Sequence, residues 1–109
     1  MRMAQSEAPK PSRHVVCLEK DLEPIVTRFL GRKRAEIPRL RTALQGQDFE
    51  EIRRLGHDLK GAGEGFGFPD LTAVGAHLER SARSRDGGAI NEQIDAMERY
   101  LASIEVRYS

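Results

Sequence analysis

The sequence predicts an all-α fold: an up-down antiparallel four-helix bundle with a possible short extra N-terminal helix. Three observations carry this expectation. Apolar residues recur at three- and four-residue steps over most of the chain from Leu22 onward, as one face of an α-helix requires. No segment alternates apolar and polar residues in the manner of a half-buried strand. The breaks between periodic segments are short, and helices joined by short loops are antiparallel neighbours.

Residues 1–20 hold Ser6, Pro9, Pro11 and Ser12 with little periodicity and read as a flexible tail, in which Val15, Val16 and Leu18 form an extended lead-in. A single domain is expected over 21–109. Its first helix is marked by Leu22, Val26, Phe29, Leu30, Ile37, Leu40 and Leu44. Pro38 lacks a backbone donor and disfavours helical geometry at Ile37, so a kink or short break is expected near 34–37. Gly46 is expected to close this helix in a left-handed conformation, with Asp48 capping the next and Glu51 completing a capping-box-like start. That next segment runs over 48–66. Phe68-Pro69 opens another helix, where Asp70 complements the N-terminal dipole and Leu71, Val74, Leu78 and Ala82 form the inner face. His77 lies beside that stripe and is expected to be partly packed. Asp86-Gly87-Gly88 reads as a turn. Ile90, Ile94, Met97, Leu101 and Ile104 mark the last helix, expected to end near Val106.

With 109 residues there is room for one core and none for a separate ATP-binding unit. A formal charge of +1 gives no global drive toward nucleic acid or membrane, and few aromatic residues are present to stack on bases. The single cysteine, Cys17, excludes an internal disulfide and a cysteine-rich zinc site, and is expected to be a small, partly buried hydrophobe. No apolar run approaches the ~20 residues of a spanning helix, and residues 1–13 lack a signal peptide's apolar centre, so a cytoplasmic location is expected.

The chemistry concentrates in His57-Asp58-Leu59-Lys60-Gly61. With ~100° per residue, Leu55, Gly56, Leu59, Gly63 and Phe66 fall within roughly 60° of Ile52, whereas His57 lies about 140° away, Gly61 about 180° and Glu64 about 120°. The histidine therefore projects into solvent, where it is either a plain solvated side chain or an exposed nucleophile. Lys60, one turn on, supplies a cation, and Gly61 removes a side chain that would stand over the imidazole; a phosphoryl group on His57 would find charge and access together. Attack by a neutral imidazole on an acyl phosphate needs no further base.

No carboxylate cluster accompanies His57, so any Mg2+ and the aspartate are expected on a partner. No metal site and no cofactor are expected on the chain itself. Each interior glycine costs about 1 kcal/mol against alanine, so Gly61, Gly63, Gly65 and Gly67 need a reason. Close helix packing is read at Gly56 and Gly63. At Gly65 and Gly67, approach by a partner and a frayed helix end stay equally open. The basic run Arg28, Arg32, Lys33, Arg34, Arg39 and Arg41 is either a docking patch for an acidic surface or a solvated face. Arg53 and Arg54, on the histidine's own helix, are the better docking candidates, and Glu64 is a candidate to orient the imidazole or Lys60.

The run Arg54-Leu55-Gly56-His57-Asp58-Leu59-Lys60-Gly61, with Gly67 further along, resembles the histidine-containing phosphotransfer (HPt) domain family. The likeness takes in the Leu44-Gln45-Gly46-Gln47-Asp48 turn and the Leu78-Glu79 helix, and spans roughly 22–104. It implies a monomeric four-helix bundle that relays phosphoryl groups between receiver-domain aspartates of hybrid histidine kinases and response regulators, as a phosphocarrier and not a free enzyme. By that resemblance His57 is the phosphoacceptor and Lys60 the nearby cation, while Gly61 is the small residue beside the imidazole and Gly67 the glycine near the helix end. The chain departs from the family at Gly56, where alanine is commoner, and in its glycine density, which is expected to loosen the helix and slow transfer. Asp58 also matches the acidic residue after the histidine of sensor-kinase dimerisation domains, but Lys60-Gly61 fits those badly. Arg53, Arg54, Gly61, Glu64 and Gly67 make up the expected partner-binding set. The alternative function is a helical module that docks on a receiver or kinase and carries no phosphate, a role that has no need of the His57 and Lys60 pair.

Overall fold

The computed structural model describes residues 14–109. A short strand β1 (His14–Leu18) and one 3-10 turn (Lys20–Leu22) lead into four helices, α1 (Glu23–Gln45), α2 (Phe49–Phe66), α3 (Pro69–Arg83) and α4 (Gly87–Ser103), and a strand β2 (Ile104–Tyr108) follows. The expected bundle is present. Each helix packs on the next and α4 closes back on α1. Side-chain pairs give the directions: Phe29 early in α1 stacks on Phe66 at the end of α2, and Arg34 and Arg41 of α1 reach Leu101 and Asp95 of α4 in reverse order. The core is the set of apolar stripes read from the periodicity. Val26, Phe29, Leu40, Ile52, Leu59, Leu71, Leu78, Ile90, Ile94 and Met97 are all essentially inaccessible to water. Burying each such side chain contributes about 1.5–3 kcal/mol, which fixes every helix's rotation about its own axis.

Helix ends follow local chemistry, with some departures from expectation. Asp48 caps α2 by accepting from the Glu51 backbone N–H at 3.2 Å, and Asp86 caps α4 by accepting from that of Ala89 at 3.1 Å, so Gly87 and Gly88 lie within the first turn of α4. Gly46 has φ −87°; the left-handed residue of that connection is Gln47, at φ 55°. The expected break before Pro38 is absent, and α1 is continuous through it. Pro38 sits on the solvent side, where the Arg34 carbonyl that loses its donor can be hydrated. Ile37, Leu40 and Ala43 hold the last turns against the core and offset the cost of the proline.

The two ends of the chain depart from expectation. β1 and β2 pair in parallel, His14 against Ile104 through Leu18 against Tyr108. Ordered structure therefore starts by His14, inside the segment read as a flexible tail; residues 1–13 of that tail lie outside the described residues. The short extra helix is only the 3-10 turn. The last helix stops at Ser103, because Ile104 turns extended (φ −72°, ψ 139°) and the β-branched Ile104 and Val106 pack better in a strand beside Val16 and Leu18. Cys17 is exposed on β1, with Arg107 opposite it, and is not a partly buried hydrophobe.

Candidate functional site

Between α2 and α3 the backbones approach closely, and glycines permit it. A Cβ at Gly56 would lie 2.9 Å from the Glu79 backbone nitrogen, the Gly75 carbonyl oxygen and the Leu78 Cβ. One at Gly75 would stand 2.6 Å from the Gly56 carbonyl oxygen and 2.9 Å from the Lys60 Cα. One at Gly63 would meet the Thr72 hydroxyl at 2.6 Å and its backbone nitrogen at 2.7 Å. The packing reading of Gly56 and Gly63 therefore holds. Gly56 is buried in the tightest seam of the molecule.

That seam sets α3 against the base of the histidine. His57 projects from the outer side of α2 with 61% of its side chain exposed, while Glu79 on α3 keeps only 8%. The Glu79 Oε2 lies 3.2 Å from His57 Nδ1 and 3.1 Å from an Arg83 guanidinium nitrogen, and its Oε1 lies 3.4 Å from Lys60 Nζ. One buried carboxylate thus joins the histidine to two cations. Burial alone would push the Glu79 carboxyl up. The hydrogen bonds from His57 and Lys60, with the charges of Lys60 and Arg83, outweigh burial and hold it below the usual carboxylate range.

An ionised carboxylate only accepts, so Nδ1 carries the imidazole proton and donates it to Glu79. In the neutral ring the lone pair then belongs to the other nitrogen, Nε2. The arrangement presents an oriented nucleophile with Lys60 one turn away, 37% exposed and able to move between Glu79 and an incoming anion.

The remaining candidate residues are placed as follows. Gly61 is exposed beside His57, and nothing lies within 4 Å of where its Cβ would be. Gly67 ends α2 in the left-handed conformation (φ 83°), where its N–H and that of Phe68 both reach the Gly63 carbonyl, so its position is explained by helix termination. Glu64 is exposed and forms no hydrogen bond or ion pair with His57 or Lys60 among the described residues; Glu79 takes the orienting place expected of it. Arg53 pairs with Glu50 on its own helix, and Arg54 with Glu51 and Asp58.

The basic run of α1 is mostly committed to internal partners. Lys33 is buried against Glu36, Arg34 donates to the Leu101 carbonyl, Arg39 pairs with Glu51, and Arg41 with Asp95 and Glu98. His77 is exposed and lies 2.7 Å from Arg80, not packed into the bundle as expected.

Glu79 and Gly75 are the functional positions that sequence reasoning missed. Their signal was present: Leu71, Gly75 and Glu79 follow one another at four-residue steps on the inner side of α3, which places an acid in an apolar stripe. A carboxylate in such a position requires a partner, and the pattern alone does not say which.

Among the described residues, no group of three or more His, Cys, Asp or Glu side chains is placed to hold a metal ion. No described helix is long and apolar enough to cross a membrane. No curated protein and no solved structure matches the chain significantly. A family model described as the Hpt domain matches residues 24–106, a span that takes in the four helices and His57. The chain belongs to the Hpt domain family, the phosphocarrier modules of histidine phosphotransfer signalling.

Proposed function

We propose that this protein is a phosphorelay intermediate that accepts a phosphoryl group on His57 from the aspartyl phosphate of one receiver domain and passes it to the aspartate of another. The observation that carries this reading is the 3.2 Å contact between Glu79 and His57 Nδ1, which in a neutral ring assigns the proton to Nδ1 and the free lone pair to Nε2, on a side chain that is 61% exposed. In the accepting step Nε2 attacks phosphorus, the new N–P bond forms as the P–O bond breaks, and the aspartate leaves as a carboxylate with the bonding electron pair. No proton has to move.

Phosphoryl transfer depends chiefly on position and charge, and here Lys60 and Arg83 gather positive charge at the Glu79 carboxylate that contacts the imidazole. The Mg2+ that shields the phosphoryl oxygens is proposed to arrive with the receiver, which contributes the other half of the active centre. Docking uses the exposed side of α2 around His57 and Gly61, flanked by Glu64 and by the half-exposed Arg53 and Arg54. Receiver domains of response regulators or hybrid kinases are the partners this chemistry requires, and the cytoplasm is where we place the encounter.

The test is incubation of the full chain with phosphorylated receivers from its own cell. Acid-labile, base-stable label mapped to His57 and chased onto a second receiver is the expected result. A chain that stays unlabelled across the panel while still binding receivers would overturn the relay in favour of docking without phosphate.

A further inference from the structure

Resting on the relay reading, we propose that the outer side of α3 is the steering flank of the docking surface: Arg80, with Arg83 and Lys60 next to it, draws in a receiver domain that carries an acidic strip beside its phosphorylated aspartate. A protein attracts a partner at a distance only through charge that nothing nearby cancels. Along α1 and α2 most of the positive charge is cancelled. Lys33 is held by Glu36, Arg39 by Glu51 and Arg41 by Asp95 and Glu98, while Arg53 pairs with Glu50 and Arg54 with Glu51 and Asp58.

On α3 the balance is different. Arg80 is exposed, and its side chain contacts the His77 ring, 2.7 Å away, with no carboxylate at ion-pair distance among the described residues. A guanidinium only donates, so His77 Nδ1 accepts, and the neutral ring takes none of the charge. Arg83, 63% exposed, and Lys60 share a single carboxylate, that of Glu79. Three cations against one carboxylate leave two positive charges, of which the carbonyls that end α3 offset only about half of one. Helix geometry lines these groups up. Counted from Glu79, which faces His57, Arg83 lies about 40° round α3 and Arg80 about 100°, while Leu78, as far round the other way, is buried. The uncancelled charge therefore runs from the imidazole outward over the solvent side of α3.

The partner's chemistry matches it. A receiver has to bring an aspartate and the carboxylates for the Mg2+ proposed to arrive with it, an anionic opening that this field pulls toward His57. An acidic strip alongside that opening settles over Arg80 and sets the angle of docking.

Stopped-flow mixing tests this with the full chain and the receiver that labels His57 fastest, or the one that binds most tightly if none labels it. Wild type, Arg80→Glu and Arg32→Glu are compared. Arg32 is exposed on α1 and makes no ion pair among the described residues, so its reversal changes the net charge by the same amount. At about 20 mM salt Arg80→Glu is expected to associate about tenfold more slowly, and Arg32→Glu within about twofold of wild type. At about 0.5 M salt the three should agree, since screening then acts within about 4 Å. Where transfer occurs, the loss should appear in the receiver concentration that gives half the maximal rate and not in the maximal rate itself.

Equal association rates for wild type and Arg80→Glu would overturn the proposal. So would an equal loss in Arg32→Glu, which would mean that net charge alone attracts the receiver, and so would a loss that persists at high salt, which would mean a short-range contact in place of steering. Should Arg80→Glu lose its helical signal, Arg80→Gln decides: association about threefold slower supports the proposal, and an unchanged rate refutes it. A receiver that binds without labelling His57 would defeat the relay while the association rates still judge Arg80. A chain that binds no receiver would defeat both.

Discussion

The two sides of α2 use the same residue for opposite ends. On the inner side Gly56 and Gly63 are buried against α3, and a single methyl at either would strike its backbone or the Thr72 side chain. On the outer side Gly61 and Gly65 have no neighbour within 4 Å of a Cβ, so their cost in helix stability is not repaid within the bundle. A glycine in a helix is therefore not one signal. The inner set brings Glu79 up to His57, and the outer set leaves the side of the helix that carries the imidazole bare. Stability is built on one side and given up on the other, as expected where a surface serves a partner.

Substitutions that exchange the properties of the two sides test this contrast. The largest effect is expected at His57 itself. His57→Ala should abolish labelling by a phosphorylated receiver with no loss of helicity, because the side chain lost is mostly in water. A circular dichroism spectrum that collapses in this variant would mean that the imidazole supports the core.

On the inner side, Gly75→Ala forces a methyl group onto the Gly56 carbonyl and the backbone of Lys60, where no flexible side chain can give way. It should destabilise by about 3 kcal/mol or more, lowering the melting temperature by roughly 12 °C or more. Transfer should slow in the material that remains folded, since Glu79 is displaced with α3. An unchanged melting temperature would contradict the close approach.

Lys60→Ala removes one favourable charge and no nucleophile, so transfer should slow by about tenfold to a hundredfold, or roughly 1.4–2.8 kcal/mol of barrier. Rapid-quench measurement of single-turnover transfer checks it, and a rate equal to wild type would remove Lys60 from the site.

The smallest effects belong to the outer glycines. Gly61→Ala and Gly65→Ala should each raise stability by up to about 1 kcal/mol, visible as a few degrees in melting temperature. Only Gly61→Ala, beside the imidazole, should also slow transfer. Equal transfer rates in both variants would show that docking does not come close to the backbone at Gly61.

Much of the bundle and the outward direction of His57 were legible in the sequence, because helical periodicity is local. Ile52, Leu55, Leu59 and Gly63 define a buried stripe from spacing alone, and an exposed His57 follows from the same angles. The partners of the basic residues were not legible for the same reason. Arg39, Arg41, Arg53 and Arg54 each look available along the chain, and each finds a carboxylate only when helices are assembled or a rotamer is chosen. The reading of α4 through to Val106 failed because Ile104 continues the helical spacing. Its extended conformation depends on a strand partner at the other end of the chain.

By itself, then, the sequence determined which segments are helical, which side of each is buried, and that a histidine with a lysine one turn on stands in water. Those properties arise from residues within a few positions of one another, where the 3.6-residue repeat and side-chain polarity settle the outcome. Tertiary structure alone decided that β1 meets β2, that α2 and α3 close to glycine distance, and that Glu79 rather than Glu64 holds the imidazole. The physical reason is distance along the chain: Glu79 lies 22 residues from His57, and no local pattern encodes a contact that exists only after two helices have packed.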